Sequence, residues 1–461
     1  MQQNIKPDGT PYNLYKDGIK IYTTINYDMQ RYAEWAMQEH LKNELQPAFY
    51  ANKKGDKNAP FSKKLTREER SMIIDQAIRR SERYRTMRQN GVSIDSIYKS
   101  FRQPAEMRMF TWNSEVDTVM TPIDSIIYYK FFLHAGLMSV EPTTGHVKAY
   151  VGGINSKHFQ YDHVKLAKRQ AGSTFKPFLY ILAMQEGMSP CHKVPVVPQT
   201  FIDHDTIWIP NTTCRPELIG TRKTLKWGLA NSENYISAWL LKQFNPASIV
   251  EIAHRMGIES QVDAVPSMIY GVADVNVYEM VSAFSSFANK GVNAKPIFVS
   301  RIEDRYGNVL ATFTTEKREA ISEETAYLML NLLEGVINRG SGIWLRTRYG
   351  FTAQIAGKTG TTQNHSDGWF IGVTPKLVTG IWVGAEDRSV HFDNLAQGQG
   401  AHMALPIWGL YMDRVYNDSS LNITQADTFL VPDNINVNIN CEEMNVVNEG
   451  DFNPDEYELG F

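Results

Sequence analysis

Cysteine is scarce: Cys191, Cys214 and Cys441 are the only three in 461 residues. They lie far apart in no metal-ligand spacing, and an odd count allows at most one disulfide, so number alone leaves the redox compartment open. No apolar run approaches the roughly 18 residues that cross a bilayer, and Met1-Gln2-Gln3-Asn4 has no signal-peptide character. Read literally, that describes a soluble, cytoplasmic chain. Strong charge bias is missing too, and a net charge of −3 gives no reason to invoke nucleic acid. Lys and Arg stop altogether at Arg414; beyond it come Asp433, Glu442, Glu443, Glu449, Asp451, Asp455, Glu456 and Glu458 among many Asn, which reads as an extended, acidic, partly disordered appendage. What remains is ordinary globular composition, and the length allows one large core with an accessory region.

Chemistry enters at Ala171-Gly172-Ser173-Thr174-Phe175-Lys176-Pro177-Phe178. Ser173 and Lys176 are three apart, which on a helix places both on one face. The run that follows, as far as Gly187, is apolar nearly all round and predicts a buried helix. At its start a lysine loses the solvation that keeps it charged, its pKa falls, and a neutral amine within reach can activate the serine. The plain alternative is a buried helix with a capping Ser and a snorkelling Lys.

Two later stretches shift that balance, Asn231-Ser232-Glu233-Asn234 and Gly357-Lys358-Thr359-Gly360-Thr361-Thr362. S-x-x-K, S-x-N and K-T-G in this order are the signature of penicillin-binding proteins and class A β-lactamases. With the flanks Arg169-Gln170-Ala171-Gly172 and Thr362-Gln363-Asn364, and with Asp367-Gly368-Trp369-Phe370 beyond, the chain resembles the transpeptidase domain of a class A, bifunctional penicillin-binding protein. The resemblance implies an α/β (α+β) fold of the penicillin-binding protein/β-lactamase type, a central antiparallel sheet flanked by helices. It also implies a membrane anchor and a glycosyltransferase domain upstream, placing the chain on the extracytoplasmic face of a bacterial membrane. Neither is visible here, so the chain reads as a piece of a longer protein.

The same resemblance assigns roles. Ser173 would attack the penultimate D-Ala carbonyl of a peptidoglycan stem peptide, and Lys176 would take its proton. Ser232, with Lys358 beside it, would pass a proton to the leaving amine, and Asn234 would hold Lys176 and the substrate amide. The N–H groups of Ser173 and Thr361 would form the oxyanion hole, with Thr359, Gly360, Thr361 and Thr362 lining the substrate site. Gly360 is expected to let the substrate strand lie close, and Gly172 and Thr174 to leave the nucleophile reachable. β-Lactams are expected ligands and cell-wall synthesis proteins expected partners; no cofactor and no metal is implied. The second motif reads S-E-N where S-D-N is usual, and Ala171 stands where many members have Pro. Read locally, Ser232 and Asn234 could instead cap a helix starting at Tyr235, and Lys358-Thr359 could guard a sheet edge. A D,D-carboxypeptidase, a β-lactamase and a non-catalytic penicillin sensor are the rivals; no E-x-x-x-N loop of the β-lactamase kind stands out between Asn234 and Lys358.

Elsewhere, Ile19 to Ile25 alternates like a half-buried strand, and Met29, Ala33, Ala36, Met37 and Leu41 form a helical stripe. Residues 52 to 88 are rich in Lys and Arg, with a capping box at Thr66 and Glu69; a solvated helical insert is the preferred reading over a patch for anionic lipid or polymer. Hairpins are predicted around Pro142 to Gly145 and around Tyr306-Gly307-Asn308, and helices over 278–289 and 323–337. Trp369 and Trp382 are read as packing, and His365 as a loop residue. The expected division is 1–133 linker with basic insert, 134–425 transpeptidase domain and 426–461 acidic tail.

Overall fold

The computed structural model describes residues 5–6, 8–203, 206–212 and 214–441. Its centre is a five-stranded antiparallel sheet of β1 (Leu133–Glu141), β2 (His146–Val151), β3 (Ala356–Thr361), β4 (Asp367–Val373) and β5 (Val378–Ala385), in the order β3-β4-β5-β1-β2. β4 and β5 are buried along their whole length, as near-continuous Trp, Phe, Ile and Val runs require when both faces are covered.

Helices supply the covers. α1 (Lys176–Gln185), α2 (Asn234–Leu241), α3 (Val277–Ala288) and α4 (Glu323–Arg339) lie on the side of the sheet that carries the site. The helices Tyr27–His40 and Leu405–Asn417 pack together on the other face. Two glycines mark the two faces: a Cβ at Gly380 would strike Val281 of α3, and one at Gly372 would strike Trp408. One large apolar core runs from Met29 to Phe429, and a satellite of Ile78, Ile97 and Phe101 organises the basic insert.

The insert carries the expected capping box, Thr66 exchanging bonds with Glu69 ahead of helix Arg67–Arg80. On that helix Met72 is exposed at 71%, and Ile74 packs against the satellite cluster. The alternating strand at 19–25 is shorter and wetter than predicted. It forms as Lys20–Thr23, exposed throughout, because it lies on a small peripheral sheet with the hairpin Val299–Glu303 and Val309–Thr312.

The start of the tail is also corrected. Residues 426–441 carry no helix or strand, yet Phe429, Ile435, Val437 and Ile439 pack on the core and Cys441 is disulfide-bonded to Cys191. Apolar residues at alternate positions hold the strap down. The acidic residues from Glu442 onward lie outside the described residues. Among the described residues no helix is long and apolar enough to cross a membrane, and no cluster of His, Cys, Asp or Glu could hold a metal ion.

Candidate active site

The Ser173 segment is not one α-helix. Gly172–Phe175 forms a 3₁₀ turn and the α-helix begins at Lys176. The tighter turn eclipses residues three apart, which sets Ser173 over Lys176 more directly than an α-helix would. Ser173 is half-buried, and Lys176 is 1% exposed. Pro177 falls in the first turn of α1, where its missing N–H leaves no bond unmade.

The small residues expected to keep the site open have another use. Gly172 has φ +55°, and a Cβ on it would lie 2.7 Å from the Thr361 carbonyl oxygen. A Cβ at Gly360 would meet Ala171 O at 2.7 Å and Thr174 Cγ2 at 2.9 Å. Both lie in the contact between the 3₁₀ turn and β3, Gly172 against Thr361 and Gly360 against Ala171 and Thr174. They let the nucleophile segment seat against the strand.

Among the described residues β3 is the edge of the sheet and pairs with β4 alone. Lys358 does not guard that edge. It is fully buried, with its amine on Ser232 Oγ and the Thr359 carbonyl.

The second motif turns on Ser232, a non-glycine residue at φ +56°. That left-handed conformation is strained, and such strain is held only where surrounding contacts over-determine it. The helix after it is capped by Glu233, whose carboxylate accepts from Tyr235 N; neither Ser232 nor Asn234 supplies that bond. Both are therefore free to face Lys176.

Lys176 Nζ donates to the Ser232 carbonyl, to Ser232 Oγ at 3.2 Å and to Asn234 Oδ1 at 2.7 Å. From the other side Lys358 Nζ donates to the same Ser232 Oγ at 3.1 Å and to Thr359 O at 3.1 Å. Burial pushes Lys176 down to about 7, while the nearby Glu233 carboxylate pulls it back up. Burial, then the charge of Lys176, holds Lys358 well below the ordinary lysine range. Two ammoniums cannot comfortably share one dry oxygen, so the pair is built to hold fewer than two protons.

The remaining predicted residues divide. Thr359 Oγ1 lies 2.6 Å from Ser341 Oγ, and Thr361 Oγ1 accepts from Gly400 N at 2.9 Å. Thr362 does not face the site as expected: its buried hydroxyl closes the turn to Asp367, accepting that residue's N–H at 3.1 Å. Trp369 and Trp382 are buried packing residues, the latter donating to Asp367 Oδ1 at 3.0 Å. Ser341, Glu233 and Asn211 were not singled out from the sequence; only Glu233, inside the second motif, carried a signal there.

This fold occurs in the penicillin-recognising transpeptidases. Penicillin-binding protein 1A from Haemophilus influenzae superposes with a TM-score of 0.66 at 19% identity, over 88% of this chain and 68% of that one. PonA1 from Mycobacterium tuberculosis gives 0.59 at 21%, over 92% and 89%. A family model described as penicillin binding protein transpeptidase domain matches residues 135–386, more than half the chain, and the chain belongs to that family. A second, the penicillin-binding protein middle domain, matches 56–133. Penicillin-binding protein 1A from Aquifex aeolicus is 27% identical over 449 residues, covering 94% of this chain and 58% of the relative. The chain spans about half the length of the curated relatives it matches.

Proposed function

We propose that the chain is a D,D-transpeptidase that cross-links peptidoglycan stem peptides through an acyl-enzyme on Ser173 and is acylated there by β-lactams. The observation that carries this reading is the convergence of Lys176 and Lys358 on Ser232 Oγ beside the Ser173 turn. Unprotonated Lys176 takes the Ser173 hydroxyl proton as Oγ bonds to the penultimate D-Ala carbonyl carbon. The N–H groups of Ser173 and Thr361 face the developing oxyanion, a contribution worth roughly 10²–10³ in rate per donor. As the C–N bond breaks, the proton passes through Ser232, backed by Lys358, to the leaving D-Ala nitrogen. An acceptor amine then attacks the ester and Ser173 recovers its proton. Thr359 and Thr361 bind the terminal carboxylate, while Asn234 orients Lys176.

Residues 134–425 are taken as the catalytic body, preceded by the linker with its insert and followed by the strapped tail. An extracytoplasmic location is supported by the Cys191–Cys441 disulfide, which persists in oxidising compartments. The test is labelling with a fluorescent penicillin. A long-lived adduct lost in Ser173→Ala supports the reading, and rapid turnover of the label points to a β-lactamase. A stem-peptide donor offered with a D-amino acid then separates transfer from hydrolysis, because a carboxypeptidase yields only the shortened peptide.

A further inference from the structure

Asn234 is held from two sides. Its Oδ1 accepts from Lys176 Nζ at 2.7 Å, and its Nδ2 donates to the backbone carbonyl of Asn211 at 2.7 Å. The Asn211 N–H in turn donates to the Tyr270 hydroxyl at 2.7 Å. Thr212, next in the chain, donates from its hydroxyl to Glu233 Oε1 at 2.6 Å. One short loop thus grips both residues that follow Ser232, and Tyr270 is the fixed point to which the loop is tied.

Tyr270 is itself anchored. Its ring lies 5.9 Å from that of Trp208, which stacks on Phe201 at 4.9 Å. The next residue, Gly271, lies directly on the nucleophile turn: Gly172 N donates to Gly271 O at 3.0 Å, and a Cβ at Gly271 would sit 1.8 Å from Gly172 O. Through its neighbour Tyr270 is locked to the backbone one residue before Ser173. Through its hydroxyl it is locked to the holder of Lys176. Packing alone would be served as well by phenylalanine; the hydroxyl adds the tie.

We propose that Tyr270 is a positioning residue of the acyl-transfer site, setting Lys176 relative to Ser173 through Asn211 and Asn234. The inference rests on the acyl-transfer reading above. Without the hydroxyl, the Asn211 N–H loses its acceptor, the residue loses an anchor, its carbonyl on the following peptide unit drifts, and the Asn234 amide can rotate away from Lys176. The groups facing Lys176 are Lys358 from β3 and Glu233 from the cap of α2; Tyr180 and Cys214 face Glu233. None of these changes in Tyr270→Phe, so any movement of the Lys176 titration reports the lost tie. A weaker carbonyl acceptor stabilises the ammonium less, and the titration moves down.

The experiment compares penicillin acylation across pH in wild type, Tyr270→Phe and Asn211→Pro, the last removing the donating N–H. Each single variant is expected to acylate about fivefold more slowly, the effect of one net hydrogen bond. The acid limb of the profile is expected to move to lower pH. The double variant should be no slower than the slower single one, because both changes remove one bond. Wild-type rate and profile in Tyr270→Phe overturn the proposal, and so do additive losses in the double variant. If Asn211→Pro fails to fold, Tyr270→Phe alone decides. Should the wild type take no label, the acyl-transfer reading fails first. The tie is then judged on the Lys176 amine titration by NMR, which must still shift in Tyr270→Phe.

Discussion

Lys176 and Lys358, one on a helix and one on a strand 182 positions later, both donate to a single oxygen, Ser232 Oγ, at 3.2 and 3.1 Å. On the proposed mechanism, two amines sharing one hydroxyl in a dry pocket are the path for a proton from nucleophile to leaving group. Removing the shared oxygen cuts the path. Ser232→Ala is expected to lower acylation on the order of 10²–10⁴-fold, the usual range for a lost proton-transfer group. Stopped-flow labelling with a chromogenic β-lactam measures it, and a loss under threefold would sink the assignment.

The base must be neutral to act, so acylation should rise with pH through about 7, where Lys176 sheds its proton. Glu233 pulls that value upward, so Glu233→Gln, which keeps the capping oxygen, should move the acid limb to lower pH. Lys176→Arg cannot deprotonate and should abolish acylation. A limb unmoved in Glu233→Gln would show that the carboxylate is too well screened to matter.

Stability carries the same signature. Between about 7 and the ordinary 10.5, the unfolded chain keeps a Lys176 proton that the folded chain lacks. The unfolded state binds more protons there, so folding stability from this residue rises with pH across that window. Below it the full burial penalty applies. Any stability gained in Lys176→Met should therefore shrink as pH rises from about 7 toward 10.5, read from urea midpoints at matched pH.

Gly271→Ala tests the seat of the nucleophile. Its φ is +61° and the added Cβ would lie 1.8 Å from Gly172 O, so the backbone on one side must move. Strain of about 1–3 kcal/mol is expected from the conformation alone. Acylation should fall out of proportion to the loss of melting temperature, because the displaced atoms adjoin Ser173. Parallel, modest changes in both would make Gly271 merely structural.

The Cys191–Cys441 bond ties down the strap that follows the last helix. Cys191→Ser is expected to cost about 2–4 kcal/mol at most. Limited proteolysis should then cut near residues 426–441 while Ser173 labelling persists. Unchanged protease resistance would mean that Phe429, Ile435, Val437 and Ile439 hold the strap unaided.

The sequence by itself determined the family the chain belongs to and which elements carry its motifs. Three ordered motifs named the serine and both lysines, and local periodicity marked the buried helix and the helices over 278–289 and 323–337, which form as Val277–Ala288 and Glu323–Arg339. Such features depend on residues a few positions apart. Only the tertiary structure decided direction. It made Glu233 the cap and turned Ser232, at φ +56°, toward the lysines; it showed that Gly172 is small for Thr361 and Gly360 for Ala171 and Thr174, and it turned Thr362 into a loop. A local pattern fixes a residue's spacing, but what a short polar side chain meets depends on segments brought in from hundreds of positions away, and no local pattern holds that information.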